Sequence, residues 1–130
     1  MKCRRALASD YEELCRWWKG HGWTPVRADF LPTGFIIESD GIRLASGFLY
    51  MTNNAPIGML EWVVTNPDNK GSQSYRALNL LVSEILKFAE YNMISAVYSK
   101  IDNAGLEKLY NKHGFVSGDL AVKDMTWVRK

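Results

Sequence analysis

A single carboxylate, Glu61, interrupts the most apolar stretch of this 130-residue chain, Ile57 to Thr65. Within Met59–Val64, apolar residues occupy both alternating faces, a pattern that predicts a central strand buried on both sides. A buried carboxylate is costly unless it is paired or borders a cleft, and partial desolvation raises its pKa toward the range that suits a general base. The pattern favours equally a general base and a strand-end glutamate paired with Lys or Arg.

A polar loop, Asn66–Ser74, precedes a stretch with helical spacing of apolar residues. Small loop residues ahead of a helix leave main-chain N–H groups unpaired at the positive end of the helix dipole, which suits a phosphate. Lys70 adds a positive charge. The alternative is an ordinary connection with Ser72 or Ser74 as N-cap. The loop matches neither a P-loop nor a dinucleotide-binding glycine fingerprint.

A third candidate, Tyr110, lies in a segment that Asn103 begins and Gly114 ends, the pattern of a capped helix. Leu106, Leu109 and Tyr110 fall on its inner side. Tyr110 is one turn from the helix end, where its phenol can point along the sheet edge. A tyrosine at such a position is more often a core or rim residue than a catalytic one.

The elements that must position these residues read in the order βαβββαβαββ, a mixed sheet covered by helices, which predicts an α/β or α+β fold. A Ser9–Glu12 capping box predicts the start of the first helix, and Ser39–Gly41 predicts a hairpin turn. With no linker or repeat, residues 1–130 are expected to form a single domain. The predicted strands are Lys2–Leu7, Gly34–Glu38, Ile42–Met51, Ile57–Thr65, Met93–Ser99, Phe115–Val122 and Met125–Arg129.

Composition narrows the function classes. Hydrophobic residues make up 47% and charged residues 23%, as in an ordinary globular protein, and the net charge of +2 does not favour nucleic acid or an anionic membrane. No apolar run reaches the roughly 18 residues of a membrane span, and the N-terminus lacks the apolar region of a signal peptide. The two cysteines and two histidines show no metal-ligand spacing, so we expect a cytoplasmic protein with free thiols and no metal.

The segment Asn103 to Phe115 also carries a resemblance. Asn103, then Leu109-Tyr110, then Gly114-Phe115 resembles the last helix of the GNAT superfamily of acyl-CoA N-acyltransferases. The resemblance covers the whole chain in a compact version. It implies a GNAT-like mixed central sheet of six to seven strands, flanked by three to four helices. It also implies acetyl transfer from acetyl-CoA to an amine acceptor, which is a small molecule or a protein; a homodimer stays open.

The resemblance assigns roles to the candidates. Glu61 falls where many members carry a general base, and Tyr110 on the usual general acid that protonates the leaving thiolate. A β-bulge in Ile57–Thr65 would part this strand from Met93–Ser99 and admit acyl-CoA. The other implied cofactor contacts are the main chain of Val63 and Val64 along the pantetheine and a main-chain N–H near Trp62 or Val63 on the thioester carbonyl. They also include the phosphate loop residues Asn69, Lys70, Gly71, Ser72, Gln73 and Ser74, and Asn103.

The loop departs from the family pattern Gln/Arg-x-x-Gly-x-Gly/Ala, because both small positions here are Ser and the glycine is one residue early. A catalytically degenerate binding or structural module is therefore the alternative function.

The acceptor side carries three tryptophans, Trp17, Trp18 and Trp23. Adjacent tryptophans are not expected to point inward together on one helix, so at least one should lie at a rim, an interface or the acceptor site. A core face plus one lid contact is favoured over an aromatic acceptor wall.

Overall fold

Five strands form one sheet in the computed structural model, which describes residues 1–118 and 123–129. The strands lie in chain order across the sheet; the first four are antiparallel to their neighbours, and β5 runs parallel to β4. Their bounds are β1 Lys2–Arg5, β2 Thr33–Ser39, β3 Ile42–Met51, β4 Ile57–Thr65 and β5 Ala96–Tyr98. The mixed α+β class predicted from the element order is confirmed.

Three α-helices cover the two faces of the sheet. They are α1 Tyr11–Gly20, α2 Gln73–Tyr91 and α3 Ala104–Lys112, and two short 3₁₀ turns occur at Ala8–Asp10 and Ala28–Phe30. The α2 face buries the larger core, which includes Leu60, Leu81 and Ile85, whereas Trp17 and Phe48 lie in the α1 core. None of the described helices combines the length and apolar character that crossing a membrane demands.

Local sequence explains the meander. The β2–β3 hairpin closes through Asp40 and Gly41, whose φ angles are 51° and 77°. Two consecutive left-handed residues make the type I′ turn that matches the twist of paired strands, and Asp-Gly is one of the sequences that favours it. The predicted turn at Ser39–Gly41 and the bounds predicted for β3 and β4 are confirmed.

The start of α1 differs from the prediction. Ser9 does not cap the helix; instead Asp10, only 1% exposed, accepts the Leu7 N–H at 2.7 Å and pairs with Arg4 at 2.9 Å and Arg43 at 2.7 Å. The hydrogen bonds from Arg4 contribute most to lowering the pKa of Asp10 far below its usual range. The two arginines, which come from strands of the sheet, stabilise the buried Asp10 carboxylate. The local capping rule instead selected Ser9, which is the wrong side chain.

Three predicted strands are wrong in whole or in part over the described residues: Met93–Ser99, Phe115–Val122 and Met125–Arg129. Met93–Ser99 shrinks to the three residues of β5, because Met93 adopts φ 61° and the Ile94 N–H returns to Ala89 to close α2. Neither 115–118 nor 123–129 forms a strand, so the described sheet has five strands rather than six to seven. The rest of the strand predicted for Phe115–Val122 lies outside the described residues.

Candidate active site

A β-bulge lies in the middle of β4. Phe48 pairs with Glu61 and Ser46 with Val64, so that Gly47 alone faces the two residues Trp62 and Val63. Trp62 has φ 60°, a left-handed conformation that is uncommon for a bulky side chain. The bulge predicted from the family resemblance is therefore present, and it lies directly beside Glu61.

Beyond Glu61 the parallel strands part. Pairing between β4 and β5 ends at Met59 and Tyr98, and the Ser99 hydroxyl donates to the Leu60 carbonyl at 2.7 Å. A cleft of about 1090 Å³ opens there. Its lining includes six of the residues predicted from the sequence or the resemblance: Glu61, Trp62, Val63, Val64, Asn103 and Tyr110.

Glu61 is half-buried in this cleft and has no ion-pair partner within 4 Å among the described residues. Burial raises the pKa of Glu61; the Lys100 ammonium lowers it, and the Asp124 carboxylate raises it further. The paired strand-end glutamate is thus not the arrangement observed. The expected burial of β4 on both faces is wrong, because Met59 and Trp62 are 39% and 43% exposed. Met59 belongs to the last pair with β5, and Trp62 lies beyond it.

Tyr110 borders the cleft from α3 with its ring in the α2 core. The side chain is 3% exposed and stacks on Phe115 at 4.9 Å between ring centroids. Its buried hydroxyl has no hydrogen-bond partner among the described residues. Burial raises the pKa of Tyr110 to about 12, although the nearby Ser99 hydroxyl opposes the rise. The phenol therefore stays protonated at neutral pH and has a proton to donate.

Beyond the bulge, the main-chain N–H and C=O groups of successive β4 residues point alternately to the two sides of the strand. The Asn66 N–H donates to the Leu44 carbonyl at 2.9 Å, and alternate pairs of an antiparallel ladder are hydrogen bonded. The main-chain groups of Val64 therefore point to β3, and those of Thr65 face the edge that β5 leaves free. His21 Nε2 lies 2.9 Å from the Thr65 carbonyl at that edge. This geometry makes Thr65, rather than the predicted Val64, available to a ligand pairing with the strand.

Asn103 begins α3 as predicted. Its Oδ1 accepts the Leu106 N–H at 2.9 Å, which makes it the N-cap. Its side-chain amide group donates no hydrogen bond within the described ranges and borders the cleft. One side chain thus holds the helix with its oxygen and has two N–H donors left for a ligand.

The loop Asn69–Ser74 lies at the N-terminus of α2 and does not line the cleft. The first α2 residue that lines the cleft is Tyr75. Asn69 Nδ2 donates to the Leu44 carbonyl at 2.9 Å and to the Ser74 hydroxyl at 3.0 Å. Gln73 Oε1 accepts the Lys70 N–H at 2.9 Å. These side-chain contacts fix the conformation of the loop, and they use one of its main-chain N–H groups, that of Lys70.

Several main-chain donors of this loop remain without an acceptor in the described part of the chain. They are the N–H groups of Gly71, Ser72, Ser74 and Tyr75. Ser72 is the N-cap residue of α2, but its side chain makes no capping hydrogen bond. Gly71 has φ 51°, which a residue without a Cβ adopts readily. The donors that the sequence predicted at this helix end are present.

Known proteins match the chain in structure only: no protein-family model and no curated protein matches it in sequence. The ribosomal-protein-S18-alanine N-acetyltransferase of Escherichia coli superimposes with a TM-score of 0.77 at 14% identity, covering 91% of this chain and 79% of that chain. An acetyltransferase of Trypanosoma brucei gives 0.70 at 14% identity, covering 96% and 99%. N-acetylglutamate synthase of Neisseria gonorrhoeae, complexed with coenzyme A and N-acetyl-glutamate, gives 0.68 at 19% identity, covering 91% and 28%.

The chain has the GNAT N-acetyltransferase fold. The likeness spans nearly the whole chain although identities stay below 20%, so it concerns architecture rather than sequence. The GNAT resemblance read from Asn103, Leu109-Tyr110 and Gly114-Phe115 is confirmed at the level of the fold. Among the described residues, no group of three or more His, Cys, Asp or Glu side chains could hold a metal ion.

The tryptophans of this GNAT fold correct one prediction. Trp17 and Trp18 are both buried, at 0% and 2% exposure, although adjacent helical residues were expected to diverge. The segment after α1 accounts for the burial of both tryptophans, because it folds over the side of the helix. Val26 of this segment packs on the same core, and its carbonyl accepts a hydrogen bond from the Tyr11 hydroxyl at 2.6 Å. Trp23, 51% exposed, lies at the cleft, which matches the favoured core face with one lid contact.

Four cleft residues were missed by sequence reasoning. Thr65 is the last residue of β4 and Ser99 directly follows β5, but only the parting of β4 from β5 places them at a cleft. Tyr50 is joined to Trp62 by a hydrogen bond between β3 and β4, and His21 Nε2 lies 2.9 Å from the Thr65 carbonyl. Only a register-based pairing of β3 with β4 could have indicated Tyr50, since Tyr50 lies opposite Met59.

Proposed function

We propose that the chain is an N-acetyltransferase that moves an acetyl group from acetyl-CoA to an amine by direct attack. One observation carries this proposal. Two groups line the same cleft where β4 leaves β5: the buried Tyr110 hydroxyl, which has no hydrogen-bond partner among the described residues, and the half-buried Glu61 carboxylate, which has no ion-pair partner among them. A proton donor and a carboxylate base at one opening are what acyl transfer to an amine requires.

The chemistry follows from these two groups. Glu61 takes a proton from the acceptor ammonium, and the freed amine nitrogen forms a bond to the thioester carbonyl carbon. The carbon–sulfur bond then breaks, and Tyr110 gives its proton to the departing thiolate sulfur. A main-chain N–H at the bulge, near Trp62 or Val63, polarises the carbonyl oxygen. The attacking nitrogen still carries one proton more than a neutral amide holds, and it passes that proton to the Tyr110 phenolate, which restores the phenol. The products are an N-acetyl amide, free CoA and the proton on Glu61, which leaves to solvent.

Binding of CoA is supported by two sets of main-chain groups, although His21 Nε2 already lies 2.9 Å from one of them, the Thr65 carbonyl. The edge of β4 at Val63 and Thr65 is proposed to pair with the amide groups of the pantetheine arm, as an added strand would. The N–H groups of Gly71, Ser72, Ser74 and Tyr75 are proposed to hold the pyrophosphate at the start of α2, with Lys70 nearby. Because Asn69 and Gln73 are already engaged within the loop, we assign them to shaping it rather than to direct contact.

The loop assignment predicts the effect of Gly71→Pro. This change removes one main-chain N–H and imposes a φ near −65° where Gly71 has 51°. We expect the acetyl-CoA Kd to rise roughly tenfold or more, the value of one hydrogen bond to a charged group. Isothermal titration of the folded variant measures it. Gly71→Ala is the matched control, since it shares the backbone strain but keeps the N–H. Equal affinity in the two variants would remove this N–H from the site.

The two roles proposed for Asn103 can be separated by Asn103→Asp. The carboxylate still accepts the Leu106 N–H, so we expect an unchanged melting temperature, but the variant has no side-chain N–H to donate to the cofactor. The acetyl-CoA Kd should rise roughly two- to tenfold, as for one neutral hydrogen bond. Asn103→Ala should in addition lower stability by about 1 kcal/mol through loss of the cap. Wild-type affinity in Asn103→Asp would leave Asn103 as a cap alone.

A non-catalytic GNAT-fold module is the second candidate, and one feature favours it. The Gln73 side chain closes on the Lys70 N–H, so the loop satisfies part of its own hydrogen bonding where a phosphate would bind. Calorimetric titration with acetyl-CoA decides between the two. Binding that is lost in Gly71→Pro supports the enzyme, whereas no binding at millimolar acetyl-CoA supports the module.

A further inference from the structure

The acceptor side of the cleft carries an aromatic wall, which we define as Tyr50, Met59, Trp62 and the stacked pair His21–Trp23. Register places Tyr50 opposite Met59 on the sheet face that α1 covers, the face to which Phe48 and Glu61 also belong. The Trp62 indole donates to the Tyr50 hydroxyl at 2.8 Å, and that hydroxyl donates to the Phe30 carbonyl at 2.8 Å. The indole is therefore held in one orientation beside Glu61.

The wall has apolar surface to offer. Trp62 and Trp23 are 43% and 51% exposed although both line the cleft, and neither belongs to a core cluster. The Trp23 ring is kept in place by the His21 ring, 5.0 Å away and inclined by 24°. Two tryptophan faces that are held by neighbouring groups yet left uncovered suit a flat apolar ligand or a cation.

The charges around the wall are unbalanced. Among the described residues of the cleft lining, Lys100 is the only lysine or arginine, and Asp124 pairs with it at 2.8 Å. Glu61 and Asp102 also line the cleft and have no ion-pair partner in the described ranges. A ligand carboxylate or phosphate on this side would meet carboxylates without a free cation. A ligand ammonium would be attracted to both the carboxylates and the tryptophan faces.

We propose that the acceptor is a small amine on an apolar, ring-bearing frame that carries no acidic group. This inference rests on the proposed acetyl transfer and names its substrate class. The ring lies against Trp62 and Trp23, and the ammonium points to Glu61. The acceptor thereby differs in charge from an amino acid, whose carboxylate would require a cationic partner in the cleft.

Three probe amines test the class on the full chain: phenethylamine, L-phenylalanine and ethanolamine. The first two differ by one carboxylate, and the third is an amine without a ring. Binding to protein saturated with CoA is measured by calorimetry, and transfer from acetyl-CoA by release of free thiol. We expect phenethylamine to bind and to react roughly tenfold or more better than either of the others, since unfavourable charge and lost ring contact each cost that much.

Two variants locate the binding. Trp62→Gly keeps the main-chain N–H and tolerates φ 60°, and Trp23→Ala changes an exposed side chain outside the sheet. Each should raise the phenethylamine Kd about three- to tenfold. Trp23→Ala, whose residue has no part in the proposed cofactor site, should leave the CoA Kd unchanged. Tyr91→Ala, an exposed aromatic residue outside the cleft, is the control and should change neither.

The outcomes separate this inference from the function on which it rests. Failure to bind CoA would overturn the acetyltransferase proposal itself. If CoA binds, but L-phenylalanine or ethanolamine equals phenethylamine, or phenethylamine does not bind at millimolar concentration, the substrate class is wrong while the cofactor assignment stands. The same holds if both tryptophan variants bind phenethylamine as the unaltered protein does.

Discussion

The Glu61→Gln variant should lose roughly 10²–10⁴ in kcat/KM at neutral pH, while its affinity for acetyl-CoA stays that of the unaltered protein. Glutamine keeps the shape of the side chain and its position opposite Phe48, but it cannot take a proton from an ammonium. Steady-state kinetics with an accepted amine, together with calorimetric titration of acetyl-CoA, measures both quantities. Glu90→Gln, an exposed site outside the cleft, is the matched control.

The pH dependence of activity tests the role of Glu61 a second time. Because burial raises the pKa of Glu61 above the ordinary 4.5, activity should rise with pH through that raised value as the carboxylate forms. This acidic limb should be absent in Glu61→Gln if Glu61 is the base.

Ionisation of Glu61 is expected to affect stability in the direction opposite to its effect on activity. A raised pKa means that the folded state holds the proton more tightly than the unfolded state, so ionisation of Glu61 at neutral pH costs stability. Glu61→Gln removes that charge and should not lower the melting temperature. A lowered melting temperature with activity per folded molecule retained would instead make Glu61 a structural residue.

Tyr110→Phe should slow acetyl transfer by about 10²-fold, the lower end of general-acid effects, because water can protonate a thiolate in place of the phenol. The ring stays stacked on Phe115, and only the hydroxyl is removed, which has no hydrogen-bond partner in the part of the chain that the structure describes. Loss of an unpartnered buried hydroxyl should leave stability unchanged or slightly higher, since no hydrogen bond is broken and a desolvated polar group is relieved. Acetyl-CoA affinity should stay close to normal.

Single-turnover kinetics with the enzyme saturated in both substrates isolates this step from binding and release. Tyr91→Phe, which removes an equivalent hydroxyl from an exposed position, is the control and should transfer acetyl groups normally. A Tyr110→Phe variant that also transfers at the unaltered rate would show that the proton on the sulfur comes from elsewhere. The Glu61 assignment would be unaffected by that result.

Patterns within a few residues were enough to determine the main elements of this protein. Alternation and turn chemistry predicted β3 and β4 with the bounds observed, because Asp40-Gly41 and Pro56 separate clear strand patterns. The segment from Asn103 to Gly114 predicted a capped helix, and the cap is formed by the residue named. The same segment, through its Leu-Tyr and Gly-Phe pairs, indicated the GNAT fold. These signals are readable because the contacts that determine them are local.

Tertiary structure alone decided how the site is built. Asp10 rather than Ser9 holds the start of α1, because Arg4 and Arg43 come from strands distant in sequence. Trp18 is buried beside Trp17 because the chain after α1 folds back over the helix. The direction of the main chain at Thr65 depends on which pairs of the β3–β4 ladder are bonded, and the Tyr50–Trp62 contact depends on its register. Non-local pairing places groups together at distances that composition and spacing do not encode.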